Sequence, residues 1–245
     1  MSVGVILPSI RSDSAIVRQM CSIRHVIDDA RAAGSLDPLF AHLYSAIERN
    51  TPADLLEEAA CGPRCAWCCY TRVPATAPEI LFLVRGSGSG LPASVIRAIP
   101  ELADRRRNGW GRSLHESLAP CAVLEDGLCT AHSHRPIACR TTMSLDADQC
   151  RRACSEPEEA LIPTAMSAVA LRAVYDIALR GALLNAGYSP QRFDLATGLE
   201  EAVVSARAEA VWLDGDDPFP SALRIDEEDY LDEPVRRALY EAAFG

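Results

Sequence analysis

Apolar positions recur at helical spacing over most of the chain. Ile16, Met20, Ile23 and Ile27 mark an amphipathic helix over residues 12–33, closed by Gly34. A second helix is predicted over Asp37–Arg49. A third opens at Thr51, with Pro52 at its first position and Asp54 as capping partner, and carries Leu55 and Leu56 to the core. Thr76-Ala77-Pro78-Glu79 is a further capping box before a short helix, Glu79–Arg85. A Gly/Ser connection over 86–90 leads to a helix over 92–107, bent near Pro100. Its closing Arg105-Arg106-Arg107 reads as a solvated end that suits the helix dipole. The longest helix runs from Pro163 to about Asn185, with Met166, Val169, Ala170, Ala173, Val174 and Ile177 as its apolar stripe and Gly187 beyond its end. Another helix is predicted over 198–213. The acidic, Pro-containing stretch at 214–234 reads as an exposed wrap, closed by a terminal helix to about Ala243. One strand signal stands out: Asp126-Gly127, between Cys121 and Cys129, is the turn of a tight hairpin. No βαβ alternation appears, which argues against a parallel sheet.

The expected fold is therefore mainly α. It is a helical domain enclosing an irregular cysteine-rich, metal-binding module with a short β-hairpin. The parts are N-terminal helices at 1–60, the module at 61–154, and C-terminal helices with an acidic tail at 155–245, all in one compact domain. With 245 residues, 49% of them hydrophobic, the chain can bury a sizeable core without covalent staples. The first residues show no signal peptide, and no stretch of about 18 apolar residues occurs, so a cytoplasmic protein with no membrane partner is expected. The formal net charge of −10 disfavours nucleic acid as a partner. All 24 basic residues are Arg, which excludes a lysine Schiff base.

The cysteines change the picture most. Four of the ten lie in Cys61-Gly62-Pro63-Arg64-Cys65-Ala66-Trp67-Cys68-Cys69, five more lie between Cys121 and Cys154, and only Cys21 is elsewhere. Such density means disulfides, zinc or an iron–sulfur cluster. Size and a reducing compartment weigh against disulfides. Cys61, Cys65 and Cys68 offer convergent soft ligands. Cys69, adjacent to Cys68, diverges from them, which suggests two centres or one cluster with bridging sulfurs. Arg64, Arg72, Arg135, Arg140, Arg151 and Arg152 lie close in sequence to cysteines and can offset thiolate charge. Ser144 is expected to cap a helix that sets Cys150 and Cys154 one turn apart on one face. The Cys129–Arg140 segment is expected to be irregular. His115, His132 and His134 read as polar loop histidines, and Cys21 as a buried thiol beside a surface His25.

Three motifs occur in order: Cys65-Ala66-Trp67-Cys68-Cys69, then the Cys121/Cys129 hairpin, then Arg135-Pro136-Ile137-Ala138-Cys139-Arg140. Together with Ser144–Cys150 they resemble the YkgJ-like cysteine-cluster family, described as a putative zinc- or iron-chelating domain. The match spans about residues 61–154. It differs in the Cys61 to Cys65 gap, three residues rather than two, and in the additional Cys154. The resemblance implies zinc or iron, as ions or an iron–sulfur cluster, held by Cys61, Cys65, Cys68, Cys69, Cys121, Cys129, Cys139 and Cys150. Arg135 and Arg140 are expected to orient the site, and at least four of those sulfurs to share one region. Two alternatives stand beside it. Cys61-x3-Cys65-x2-Cys68 is the spacing of radical S-adenosylmethionine enzymes, which would make the chain an iron–sulfur enzyme. A zinc-stabilised interaction scaffold is the other.

Overall fold

Two strand–helix units form the frame of the molecule. The computed structural model describes residues 15–86, 90–109, 119–155 and 162–225. β1 (Pro74–Thr76) runs directly into α4 (Ala77–Arg85), and β4 (Arg192–Asp194) into α9 (Leu195–Val204). The two strands pair antiparallel, Pro74 with Asp194 and Thr76 with Arg192, and β5 (Arg224–Ile225) adds to the free side of β4. Each junction has its own cap. Thr76 and Glu79 form the predicted capping box, and the Asp194 carboxylate accepts from the Thr197 backbone N–H at 3.2 Å.

α4 and α9 pack together, and α9 also covers α5 (Ala93–Asn108). At the α4–α9 crossing a Cβ built on Gly198 would stand 2.5 Å from Ile80 Cδ1. Gly198→Ala gains about 1 kcal/mol of helix propensity but overpacks a site where Ile80 is fully buried, at about 1–3 kcal/mol. We expect a net loss of stability in denaturant unfolding. Ile80→Val, which removes the offending methyl, should lessen that loss in the double variant. Strict additivity of the two substitutions would rule out the close contact.

Around this frame α1 (Ala15–Ala33) packs on α2 (Asp37–Asn50) and on α8 (Met166–Asn185). α1 and α8 run in the same direction: Ile16 meets Ile177 at one end, and Arg24 donates to the Asn185 carbonyl at the other. Phe40 stacks on Phe82 at 4.3 Å between ring centres, and Tyr188 on Trp212 at 4.4 Å. Gly34 and Gly187 end their helices with positive φ, as predicted.

The chain is mainly helical, with short antiparallel strands, but several details differ from expectation. The sheet β1-β4-β5 carries no sequence signal, because its strands are two or three residues long and too short to alternate. The Thr51 hydroxyl bonds back to the Ile47 carbonyl, so α3 (Ala53–Glu58) starts from Pro52 without a side-chain cap. Only Leu55 of its leucine pair is buried, while Leu56 is 60% exposed. α8 buries Ala168, Leu171, Tyr175, Ala178 and Ala182 together with Ile177 of the predicted stripe, while Met166, at the head of that stripe, is 70% exposed. Both sets have helical spacing, and the larger Leu171 and Tyr175 side chains take the core. The helix predicted over 198–213 is two helices, α9 and α10 (Ala208–Leu213), separated at Ser205. Residues 12–14, the middle of the Gly/Ser connection and the terminal helix lie outside the described residues. No helix among the described residues is long and apolar enough to cross a membrane.

Candidate metal centre

Four separate segments bring the module cysteines together. The first follows α3: a turn at Gly62–Cys65, closed by the Cys65 N–H on the Gly62 carbonyl, has Arg64 at φ 68. A 3-10 turn, Trp67–Tyr70, then carries Cys68 and Cys69. The second segment is the hairpin, β2 (Leu124–Glu125) and β3 (Leu128–Cys129), turned by Asp126 and Gly127 at positive φ. Its tip lies against the first segment, where the Arg64 guanidinium donates to the Asp126 carbonyl. At its base the Cys121 N–H donates to the Cys69 carbonyl at 2.8 Å.

The third segment is α6 (Ile137–Arg140), which carries Cys139. A single buried carboxylate anchors it. Glu79 Oε2 accepts from the Thr76 N–H and hydroxyl, both at 2.7 Å, while Oε1 accepts from the Ile137 N–H at 2.8 Å. The start of α4 and the start of α6 thus share one side chain. Burial raises the Glu79 carboxyl above its ordinary value, and the three hydrogen bonds oppose that shift.

The fourth segment is α7 (Ala147–Ser155), with Cys150 and Cys154 four residues apart. Asp146, rather than the predicted Ser144, caps it: its carboxylate accepts from Asp148 and Gln149 N–H. Ser144 instead bridges to Pro163 through its hydroxyl, and its N–H donates to the Cys61 sulfur at 3.4 Å. α7 packs on the 3-10 turn, where the Cys154 thiol donates to the Trp67 carbonyl at 3.7 Å.

All ten cysteines are free. Mutual interaction of the adjacent Cys68 and Cys69 thiols lowers Cys68 to about 6 and pushes Cys69 well above the usual thiol range; Arg135 also favours the Cys68 thiolate. Burial pushes Cys121 up to about 11 and raises Cys129, Cys139, Cys150 and Cys154. Among the described residues no three His, Cys, Asp or Glu side chains stand in a ligating arrangement about one point. Cys61 and Cys65 contribute to the rise of Cys150, and Cys21 lies apart, exposed on α1.

The two expected orienting arginines divide. Arg135 acts electrostatically on Cys68, Cys129 and Cys139. Arg140 turns from the sulfurs towards α2. Its guanidinium carbon lies 3.4 Å from the centre of the Tyr44 ring, and it donates to the Ser133 and Arg135 carbonyls. Tyr44 Oη donates to the same Arg135 carbonyl at 2.9 Å. Arg140 therefore holds the loop that presents Arg135. His134 packs its ring 4.8 Å from Phe82, and His132 is exposed on a 3-10 turn, His132–His134, in the segment expected to be irregular. His115 lies outside the described residues.

Two features escaped the sequence reading. Glu79 was legible as a cap but not as the tie to Ile137. Arg106, read as part of a solvated helix end, is 3% exposed and donates to the Thr71 carbonyl. It lines a small recess with Cys121 and Asp194. The signal was present, since Val95, Ile99, Leu102 and Arg106 lie on one helical stripe.

No family model, curated protein or solved structure matches the chain.

Proposed function

We propose that residues 61–154 bind zinc or iron, as ions or an iron–sulfur cluster, through their cysteines. The observation that carries the reading is that free thiols lie on segments tied together by hydrogen bonds, Cys121 N–H to the Cys69 carbonyl and Ser144 N–H to the Cys61 sulfur. The donor set fits such a metal. Thiolates are soft ligands, and Arg135 and the Ser144 N–H supply positive charge and a hydrogen bond to sulfur. Cys61, Cys65, Cys68, Cys69, Cys121, Cys129, Cys139 and Cys150 are the proposed ligands, with Cys154 beside them. A bound metal supplies the positive charge that lets a buried thiol lose its proton. A reducing compartment such as the cytosol keeps these thiols available. The S-adenosylmethionine reading needs a strand before Cys61 and parallel strands after it. The described residues have α3 before it and only antiparallel pairs.

The raised thiols give the test its sign. Binding must release protons, because thiols that burial keeps protonated become thiolates. Titrating the reduced full chain with Zn²⁺ in weak buffer should release more than one proton per ion. Co²⁺ should give sulfur-to-metal charge-transfer absorption, and anaerobically isolated protein should contain zinc or iron on elemental analysis. Absence of both metals together with absence of Co²⁺–thiolate absorption would end this reading.

A further inference from the structure

One apolar stripe of α8 is covered along only part of its length. Met166, Val169, Ala170, Ala173, Val174 and Ile177 share a face at helical spacing. Met166 is 70% and Val169 46% exposed, and Ala170 is exposed too; Ala173 and Val174 are half-buried, and Ile177 is buried. The cover is α1. Ile16 packs on Ile177, with Ala173 and Val174 against them. Further along, Asn185 donates to the Met20 sulfur and its carbonyl accepts from the Arg24 guanidinium, so the two helices run side by side in one direction. α1 starts at Ala15, beside the Ile177 end, and the stripe continues past that start towards Met166. The core does not cover the remainder, because it takes Ala168, Leu171 and Tyr175 from another face of α8. Leu145 and Ile162, next to the Ser144–Thr164 bridge that precedes α8, are exposed as well.

We propose that residues 3–10 of the same chain lie over the Met166 end of this stripe and complete the seam between α1 and α8. They are outside the described residues, and they lead into α1 at the point where its cover stops. Their composition suits the seat: Val3, Val5, Ile6, Leu7 and Ile10 are apolar, and no charged side chain occurs before Arg11. Their length suits it too. From Ile177 back to Met166 the helix spans about 16 Å, which an extended chain crosses in about five residues. Ile10 therefore draws level with Met166 along an extended path, and residues 3–7 along a more compact one. Contact there removes apolar surface of both partners from water. The seat is independent of what the cysteines bind.

The test uses the full chain, reduced and dilute, with photoreactive benzoylphenylalanine in place of Met166, an exposed position that tolerates the larger ring. Irradiation and peptide mapping should find the label joined, within one chain, to residues 3–10. Adducts that join two chains would overturn the proposal in favour of a second copy on the stripe, and adducts that never reach residues 3–10 would overturn it outright. A second measurement needs no label. In Val5→Asp with Ile6→Asp and Ile10→Asp, the amides of residues 169–174 should exchange hydrogen several-fold faster than in the wild type, while those of α5 keep their rates. An equal rise in both helices, or none in either, would count against the seat.

Discussion

Glu79→Ala should destabilise the folded chain by on the order of 3–5 kcal/mol, among the largest effects of any single substitution. The change strands the Thr76 N–H, the Thr76 hydroxyl and the Ile137 N–H in a buried site, each at about 1–3 kcal/mol. Relief of the burial cost of the carboxylate offsets part of this. Glu79→Gln should cost less, because one amide oxygen still accepts while the NH₂ faces a donor. The pH dependence follows from the raised carboxyl. The folded state binds this proton more tightly than the unfolded chain does. Native stability from this group is therefore highest below the unfolded value, about 4.3, and is lost as pH rises towards the folded value. Burial raises Asp194 in the same direction, so the contribution of Glu79 is the difference between wild type and Glu79→Gln. Urea unfolding across that window should show wild type gaining on the variant as pH falls. A constant difference would mean that Glu79 does not titrate in a buried site.

If the module binds metal as proposed, stripping that metal should open the module and spare the frame. Zinc binding in small peptides is worth about 10–16 kcal/mol, comparable to the whole stability of a domain, about 5–15 kcal/mol, so a small module alone would unfold. Here the main core joins α1, α2, α4, α5, α8 and α9 through apolar contacts, and of the cysteines only Cys121 and Cys129 pack against it among the described residues. α6 and α7 contribute only 4 and 9 helical residues, against 19 in α1 and 20 in α8. Chelation, or Cys68→Ser with Cys69→Ser, should reduce far-ultraviolet circular dichroism modestly while creating protease cuts between Cys69 and Cys154. Collapse of the whole helical signal would show that the metal holds the entire fold. Unchanged proteolysis would show that the cysteines bind nothing structural.

Local chemistry made much of this legible in the sequence. Gly34, the Thr76/Glu79 box and Asp126-Gly127 each act through a few neighbouring residues, and each appears where predicted. Tertiary competition was not legible. α8 has two apolar stripes at helical spacing, and nothing local says that Leu171 and Tyr175 face inward while Met166 faces solvent. Ser144 and Asp146 are both good caps, and the Ser144 hydroxyl is taken up by the Asp146 and Pro163 carbonyls. In the candidate site, sequence singled out eight cysteines together with Arg135 and Arg140. It did not indicate that Arg140 would stack on Tyr44, a contact between helices distant in the chain.

The pairing of β1 with β4 also sets an order of events during synthesis. Pro74 meets Asp194 and Arg192 meets Ile225, so every module cysteine from Cys121 to Cys154 lies within the loop that this pairing closes. Those thiols leave the ribosome before the central strand exists. Closing so long a loop is entropically slow to initiate, and until it closes α4 has no α9 to cover it. The nascent chain thus presents its sulfurs unshielded while the frame is incomplete, which makes the interval before β4 emerges the time of greatest exposure to oxidants and to stray ions.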